Sequence, residues 1–196
     1  YETSKLEAHF ATLETMSAKG GELTVVHPAT VCGHSRTGHI LDGQPLVALI
    51  RNLVQGKLTA VPGTAQHWLP LVTVDYLVEL MAACAFDPAM AGQELLALDA
   101  QTPNLRELLV QVAQPLGLKS PKHHVSLRLL KWLLSIPPVA RLMNTQPEAL
   151  DFIQTTRFDT AAVEQFANRH AIAKPDIRQS LRHTATFVNA HCMAKR

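Results

Sequence analysis

Tyr1 and Lys5 stand four residues apart in the opening segment "YETSK". On a helix that spacing puts two side chains one turn apart on the same face, and a lysine ammonium near a phenol favours loss of the phenolic proton. The pair is suited to acid/base work, although taken alone it also fits an exposed helix carrying an unremarkable i,i+4 pair. A second candidate is the Gly-rich polar loop "GHSRTGHILDG", since loops carry function disproportionately. The ten histidines form no ligand pair at helical spacing, and His123 and His124 would point to opposite sides of a strand, so no metal site is expected. Cys32 and Cys84 lie within apolar stretches, as core thiols do.

Composition narrows the classes. A chain of 196 residues, 47% hydrophobic, can bury a core as one large domain or two small ones. The net charge of +2 comes from 18 basic and 16 acidic residues spread along the chain, with no basic stripe and only 5% aromatics, which argues against nucleic-acid binding. Three well-separated cysteines suit a reducing, cytoplasmic setting. No apolar run is long enough to span a membrane, and the first residues resemble neither a signal nor a transit peptide.

These candidates need elements to position them. Leu6, Phe10, Leu13 and Met16 mark one face of a helix from Tyr1 to about Ala18, stopped by Gly20-Gly21. "ELTVVHPATVCG" reads as a buried strand ending in the polar loop, and "PLVALIRNLVQG" as a helix between Pro45 and Gly56. "WLPLVTVDYLVELMAACAF" holds a strand and then a helix capped by Thr73, with Asp75 in its first turn. "QELLALDA" is a further strand, followed by a helix with Thr102 as cap and Pro103 as first residue, closed by Gly117. This alternation is α/β. From Pro121 the chain reads as almost wholly helical: an amphipathic stretch "VSLRLLKWLLSIPPVARLM", a helix near 146–156, one opened by Asp159 or Thr160 and one after Pro175. "TTRFD" is a candidate edge strand, and a boundary near residue 120 divides an α/β part, 1–120, from a mostly helical part, 121–196.

Within the amphipathic stretch, Arg128, Lys131 and Ser135 share a polar stripe, while Leu127, Leu130, Trp132, Leu133 and Leu134 form a wide apolar face. Core packing is the default for such a face, a partner surface and an interfacial membrane contact are other readings, and an acyl-chain pocket is the sharper alternative.

No G-x-G-x-x-G turn occurs anywhere in the chain, so it is not a complete dinucleotide-binding unit. It is expected instead to be the latter part of one. "YETSK", "VVHPATVCGHSRTG", "LPLVTVDYLVELM", "GQELLALDAQTPNLRELL" and "RFDTAAVEQF" together resemble the extended short-chain dehydrogenases/reductases, in the thioester reductase and fatty acyl-CoA reductase branch. The resemblance runs through nearly the whole chain in the family's order. It implies the C-terminal part of a Rossmann-type doubly wound parallel sheet plus a mostly helical substrate-binding subdomain.

The resemblance also implies roles. Tyr1 would donate a proton to a carbonyl oxygen, and Lys5 would hold the nicotinamide ribose and lower the tyrosine pKa from about 10 towards the working range. His27, Pro28, Ala29, Thr30 and Val31 would lie beside the cofactor, with His27 where the family usually has arginine. Cys32 and Gly33, with Arg36, Thr37 and Gly38 at the pocket mouth, would meet the substrate. The implied reaction is reduction of an acyl thioester, on CoA or a carrier protein, to aldehyde or alcohol. The implied cofactor is NADPH or NADH, most of its site lying upstream, in an N-terminal half of the same or another chain. A nucleotide-sugar epimerase, dehydratase or ketone reductase remains an alternative, for which residues 40–100 supply only Arg51 and Lys57 as basic groups. So does a non-catalytic fragment or interaction module.

Overall fold

The structure, a computed structural model, describes residues 2–143 and 147–192, so Tyr1, the expected proton donor, lies outside the described residues. Its order is α1 (Glu2–Ala18), β1 (Val25–Pro28), β2 (Thr30–Cys32), α2 (Pro45–Val54), β3 (Val61–Pro62), β4 (Leu71–Thr73), α3 (Val74–Phe86), β5 (Glu94–Ala97), α4 (Leu105–Ala113), β6 (His124–Val125), α5 (Leu127–Leu134), α6 (Pro137–Met143), α7 (Ala161–Arg169) and α8 (Ile177–Phe187). All three ladders are parallel: β1 on β5, β2 on β4, and β3 on β6.

Helices cover both faces of these strands, and β4 shows how. Leu71 belongs to a core with Leu46 and Ile50 of α2, Leu105 and Leu108 of α4, and Leu181 of α8. Its neighbour Val72 belongs to a second core with Tyr76 and Leu80 of α3, Leu95 of β5 and Phe166 of α7. Successive strand residues point to opposite faces, so a strand apolar at both must be buried on both, as in a doubly wound sheet. Each core draws residues from both sides of residue 120.

The helices form where spacing and caps direct. In α2, Pro45 takes the first turn and Leu46, Val47, Ile50 and Leu53 turn inwards. In α8, the Asp176 carboxylate accepts from the backbone N–H groups of Arg178 and Gln179, and Ile177, Leu181, Thr184 and Ala185 are buried.

Several expectations are corrected. α4 starts two residues late: Asn104 is the cap and accepts from Glu107 N at 2.9 Å, whereas the Thr102 hydroxyl donates to the Asp99 carbonyl. The tail is not wholly helical, because His124–Val125 pairs with Val61–Pro62. The helix expected near 146–156 is a 3-10 segment over Pro147–Phe152, residue 146 lying outside the described residues. "TTRFD" forms no strand; the pairing falls one residue earlier, where Gln154 bridges Trp68. On α1, Leu6 and Phe10 are 56% and 59% exposed while Leu13 and Met16 are half-buried, so the first part of its expected apolar face lacks a cover among the described residues. On α5 only Leu134 is buried; Leu127, Leu130 and Leu133 are half-buried, and Trp132 is exposed. No described helix is long and apolar enough to cross a membrane.

Candidate functional site

β1 and β2 are one extended run that changes neighbour at Ala29. Ala29 N donates to Ala97 O at 3.0 Å, while Thr30 N donates to Pro70 O at 3.1 Å. β4 enters between the diverging strands, and Asp99 N closes the far side on Leu71 O at 2.9 Å. A cleft of about 580 Å³ lies where the strand switches. Pro28–Val31 form one wall, Pro70, Leu96 and Leu98 lie along the strands, and Phe152, Gln154 and Phe158 face them. Crevices beside such a change of neighbour are where open parallel sheets bind ligands.

Four expected cofactor-side residues, Pro28, Ala29, Thr30 and Val31, are therefore brought together on the cleft wall. His27 is not on it; its Nε2 pairs with Glu94 at 3.1 Å, and its ring lies 5.8 Å from that of His9. That ring contact sets α1 alongside β1, with the exposed Lys5 one turn before His9.

The expected substrate-side residues go elsewhere. Cys32, Gly33, Arg36, Thr37 and Gly38 do not line the cleft. The Cys32 thiol is buried in the first core, and burial, helped by the charge of Asp75, pushes its pKa up to about 12. The loop after it is pinned to two helices. Ser35 N and Oγ donate to the Asp75 carboxylate of α3 at 3.0 and 2.5 Å, and His183 Nδ1 of α8 donates to the Ser35 carbonyl at 2.7 Å. Burial raises the Asp75 pKa, but the hydrogen bonds to the carboxylate, led by those from Ser35, together outweigh it and hold the carboxyl below its usual range. Gly33 and Gly38 permit this close seat. A Cβ on Gly33 would stand 2.6 Å from Thr184 Oγ1, and one on Gly38, at φ +70°, would strike the His183 carbonyl.

Sequence reasoning passed over the opposite wall and what lies behind it. Phe152 and Phe158, both more than 40% exposed, face the cleft. Arg157 lies over the buried Trp68 ring, 3.9 Å from guanidinium carbon to ring centre. The available signal was arginine beside an aromatic in "TTRFD", a segment read as an edge strand and, through "RFDTAAVEQF", as part of the resemblance, but assigned no site residue. The apolar face of α5 does not line the cleft; Lys131 of that helix instead pairs with Asp151 at the cleft edge. Among the described residues no group of three or more metal-ligating side chains occurs.

Residues 1–81 match the family described as male sterility protein, an NAD-binding family. No curated protein matches the chain. Among solved structures it is similar to the terminal R domain from the myxalamid PKS-NRPS biosynthetic pathway, with 16% identity, a TM-score of 0.68, and 93% of this chain and 48% of that one covered. The aureusimine biosynthetic cluster reductase domain gives 17% identity and a TM-score of 0.68, over 97% of this chain and 50% of that one. UDP-glucuronic acid 4-epimerase from Bacillus cereus, in complex with NAD, gives 10% identity and a TM-score of 0.60, over 97% and 52%. The chain thus spans about half the length of these structures. By its first 81 residues it matches the male sterility protein family, and over nearly its whole length it shares the α/β fold of these two reductase domains and the epimerase.

Proposed function

We propose that this chain forms the substrate side of an NAD(P)H-dependent reductase that converts an acyl thioester, on CoA or a carrier protein, to an aldehyde or alcohol. The observation that carries the reading is the cleft at Pro28–Val31, the segment expected beside a nicotinamide, faced by the half-exposed Phe152 and Phe158. The family match, which runs from Tyr1 into α3, supports it, as does the likeness to an R domain and a reductase domain.

The cleft has room for a ring and an acyl group; no lysine or arginine lines it, and its one carboxylate, Asp151, is paired with Lys131, so a neutral reacting centre suits it. A bound nicotinamide would supply the hydride for the thioester carbonyl, and the resulting hemithioacetal would break its C–S bond to release the aldehyde and the carrier thiol. Tyr1 would hold the proton that the carbonyl oxygen takes up, and Lys5 would grip the ribose and ease that proton's release. The apolar walls would keep water from the carbonyl carbon. Pyrophosphate binding falls to residues outside these 196, in the same or another chain. Two features support that division: Leu6 and Phe10 of α1 are exposed, and β1 is paired along one side only among the described residues.

The likeness to a UDP-sugar epimerase favours a second reading, action on a nucleotide-sugar. Between residues 40 and 100 the basic groups are engaged otherwise, Arg51 with Asp42 and Lys57 with the Leu142 carbonyl.

The test is NADPH oxidation by the complete protein with acyl thioesters. Tyr1→Phe is expected to cut the rate by about 10²-fold or more. If no thioester drives NADPH oxidation while a nucleotide-sugar is converted, the second reading replaces the first.

A further inference from the structure

Beside the cleft lies a second concavity of about 600 Å³, and the two share Leu98 and Phe158. Their linings differ in charge. The cleft wall includes no cation, whereas the annex holds two guanidinium groups, Arg157 and Arg178, against one carboxylate, Glu107.

Arg157 is preorganised. Its guanidinium stacks on Trp68, and its Nη1 donates to the Thr102 carbonyl at 3.0 Å. Trp68 is itself fixed: it is 1% exposed, its Nε1 donates to the Thr156 carbonyl at 3.0 Å, and its backbone exchanges two hydrogen bonds with Gln154. A guanidinium carries five N–H donors, and the Thr102 carbonyl takes one. Arg178 spends its Nε on Glu107 at 2.9 Å, and its terminal nitrogens make no hydrogen bond within the described residues. A planar cation held in advance loses little side-chain freedom on meeting an anion, and its fork matches phosphate oxygens.

We infer that the annex binds the phosphate-bearing end of the substrate whose reacting end lies in the cleft, with Arg157 and Arg178 as the phosphate ligands. The inference rests on the reductase reading, because a thioester on CoA or a carrier protein has its phosphate at the far end of a pantetheine arm. Leu98 and Phe158 form the shared wall along which that arm passes from one compartment to the other.

The test compares one acyl group on three carriers, CoA, phosphopantetheine and the phosphate-free N-acetylcysteamine, using the complete protein and its Arg157→Gln and Arg178→Gln variants. Losing a charged hydrogen bond to phosphate raises KM for the CoA and phosphopantetheine thioesters about tenfold or more. KM for the N-acetylcysteamine thioester keeps its wild-type value. An effect equal on both phosphorylated carriers assigns the annex to the pantetheine phosphate, and an effect confined to CoA assigns it to the nucleotide phosphates. KM values that shift alike for all three carriers, or for none, overturn the inference. Should Arg157→Gln unfold, Arg178→Gln decides alone, because that side chain is 41% exposed and outside both cores. A wild-type protein that reduces none of the three thioesters overturns the reductase reading itself, a result distinct from a uniform KM.

Discussion

Asp75 holds the loop after β2 to α3 through one carboxylate with two donors from Ser35. Its pKa lies below the ordinary carboxylate range, so its contribution is fully present above about pH 4 and fades as pH falls through the lower folded value. Asp75→Asn is therefore expected to cost about 1–2 kcal/mol at pH 7, with the gap from wild type narrowing below about pH 4. Urea unfolding of both proteins at neutral and acidic pH measures this. A constant gap would mean that the carboxylate's charge is not what stabilises the loop. Residues of this kind were hard to read in the sequence. The expected pairing of Tyr1 with Lys5 is local and was read from helical periodicity, whereas Ser35 meets Asp75 across 40 positions. Trp68 and Arg157 meet across 89 positions, where Gln154 bridges to Trp68 and the Thr156 carbonyl accepts from its indole. Neither distant pair leaves a periodic trace.

α8 shows how one element positions another. It carries His183 and Thr184 against the loop over Gly33–Gly38, and Asp176 satisfies its first free N–H groups. Removing that cap with Asp176→Ala is expected to cost about 1 kcal/mol. It should also speed amide hydrogen exchange in residues 33–38; an unchanged loop would show that α3 alone secures it. Longer elements were legible from caps, Pro and Gly, as in α2 between Pro45 and Gly56. The start of α4 was misplaced because Thr102 and Asn104 are both capping types. The choice fell to the turn at Asp99, which engages the Thr102 hydroxyl. β6 is two residues long, too short for alternation to mark it, and only its pairing with β3 reveals it.

At the scale of the whole molecule, alternating strands and helices announced parallel α/β architecture, and the burial of adjacent Leu71 and Val72 in opposite cores bears this out. What the sequence did not disclose is that residues from both sides of position 120 share those cores, since burial depends on contacts far apart in the chain. α1 lies alongside β1 through His9 yet leaves Phe10 59% exposed. Phe10→Asp should leave the melting of the 196-residue chain unchanged to within about 0.5 kcal/mol. It should also weaken NADPH binding by the complete protein, as titration would show. Destabilisation of the 196-residue chain by itself would mean that its own residues cover this face.

The change of neighbour at Ala29 has a mechanical consequence. One backbone run is tied to β5 before that residue and to β4 after it, and β4 is tied in turn to Asp99 just beyond β5. The cleft wall is thus braced like a triangulated frame: widening the gap at Pro28–Val31 would break hydrogen bonds in two ladders at once. The opposite wall, carried on the segment around Phe152 and Phe158, is held differently among the described residues: beyond the bridge at Gln154, the Trp68 indole donates to the Thr156 carbonyl and Arg157 donates to the Thr102 carbonyl. Such a wall keeps a set gauge: whatever lies against Pro28–Val31 meets a surface whose spacing two ladders hold constant.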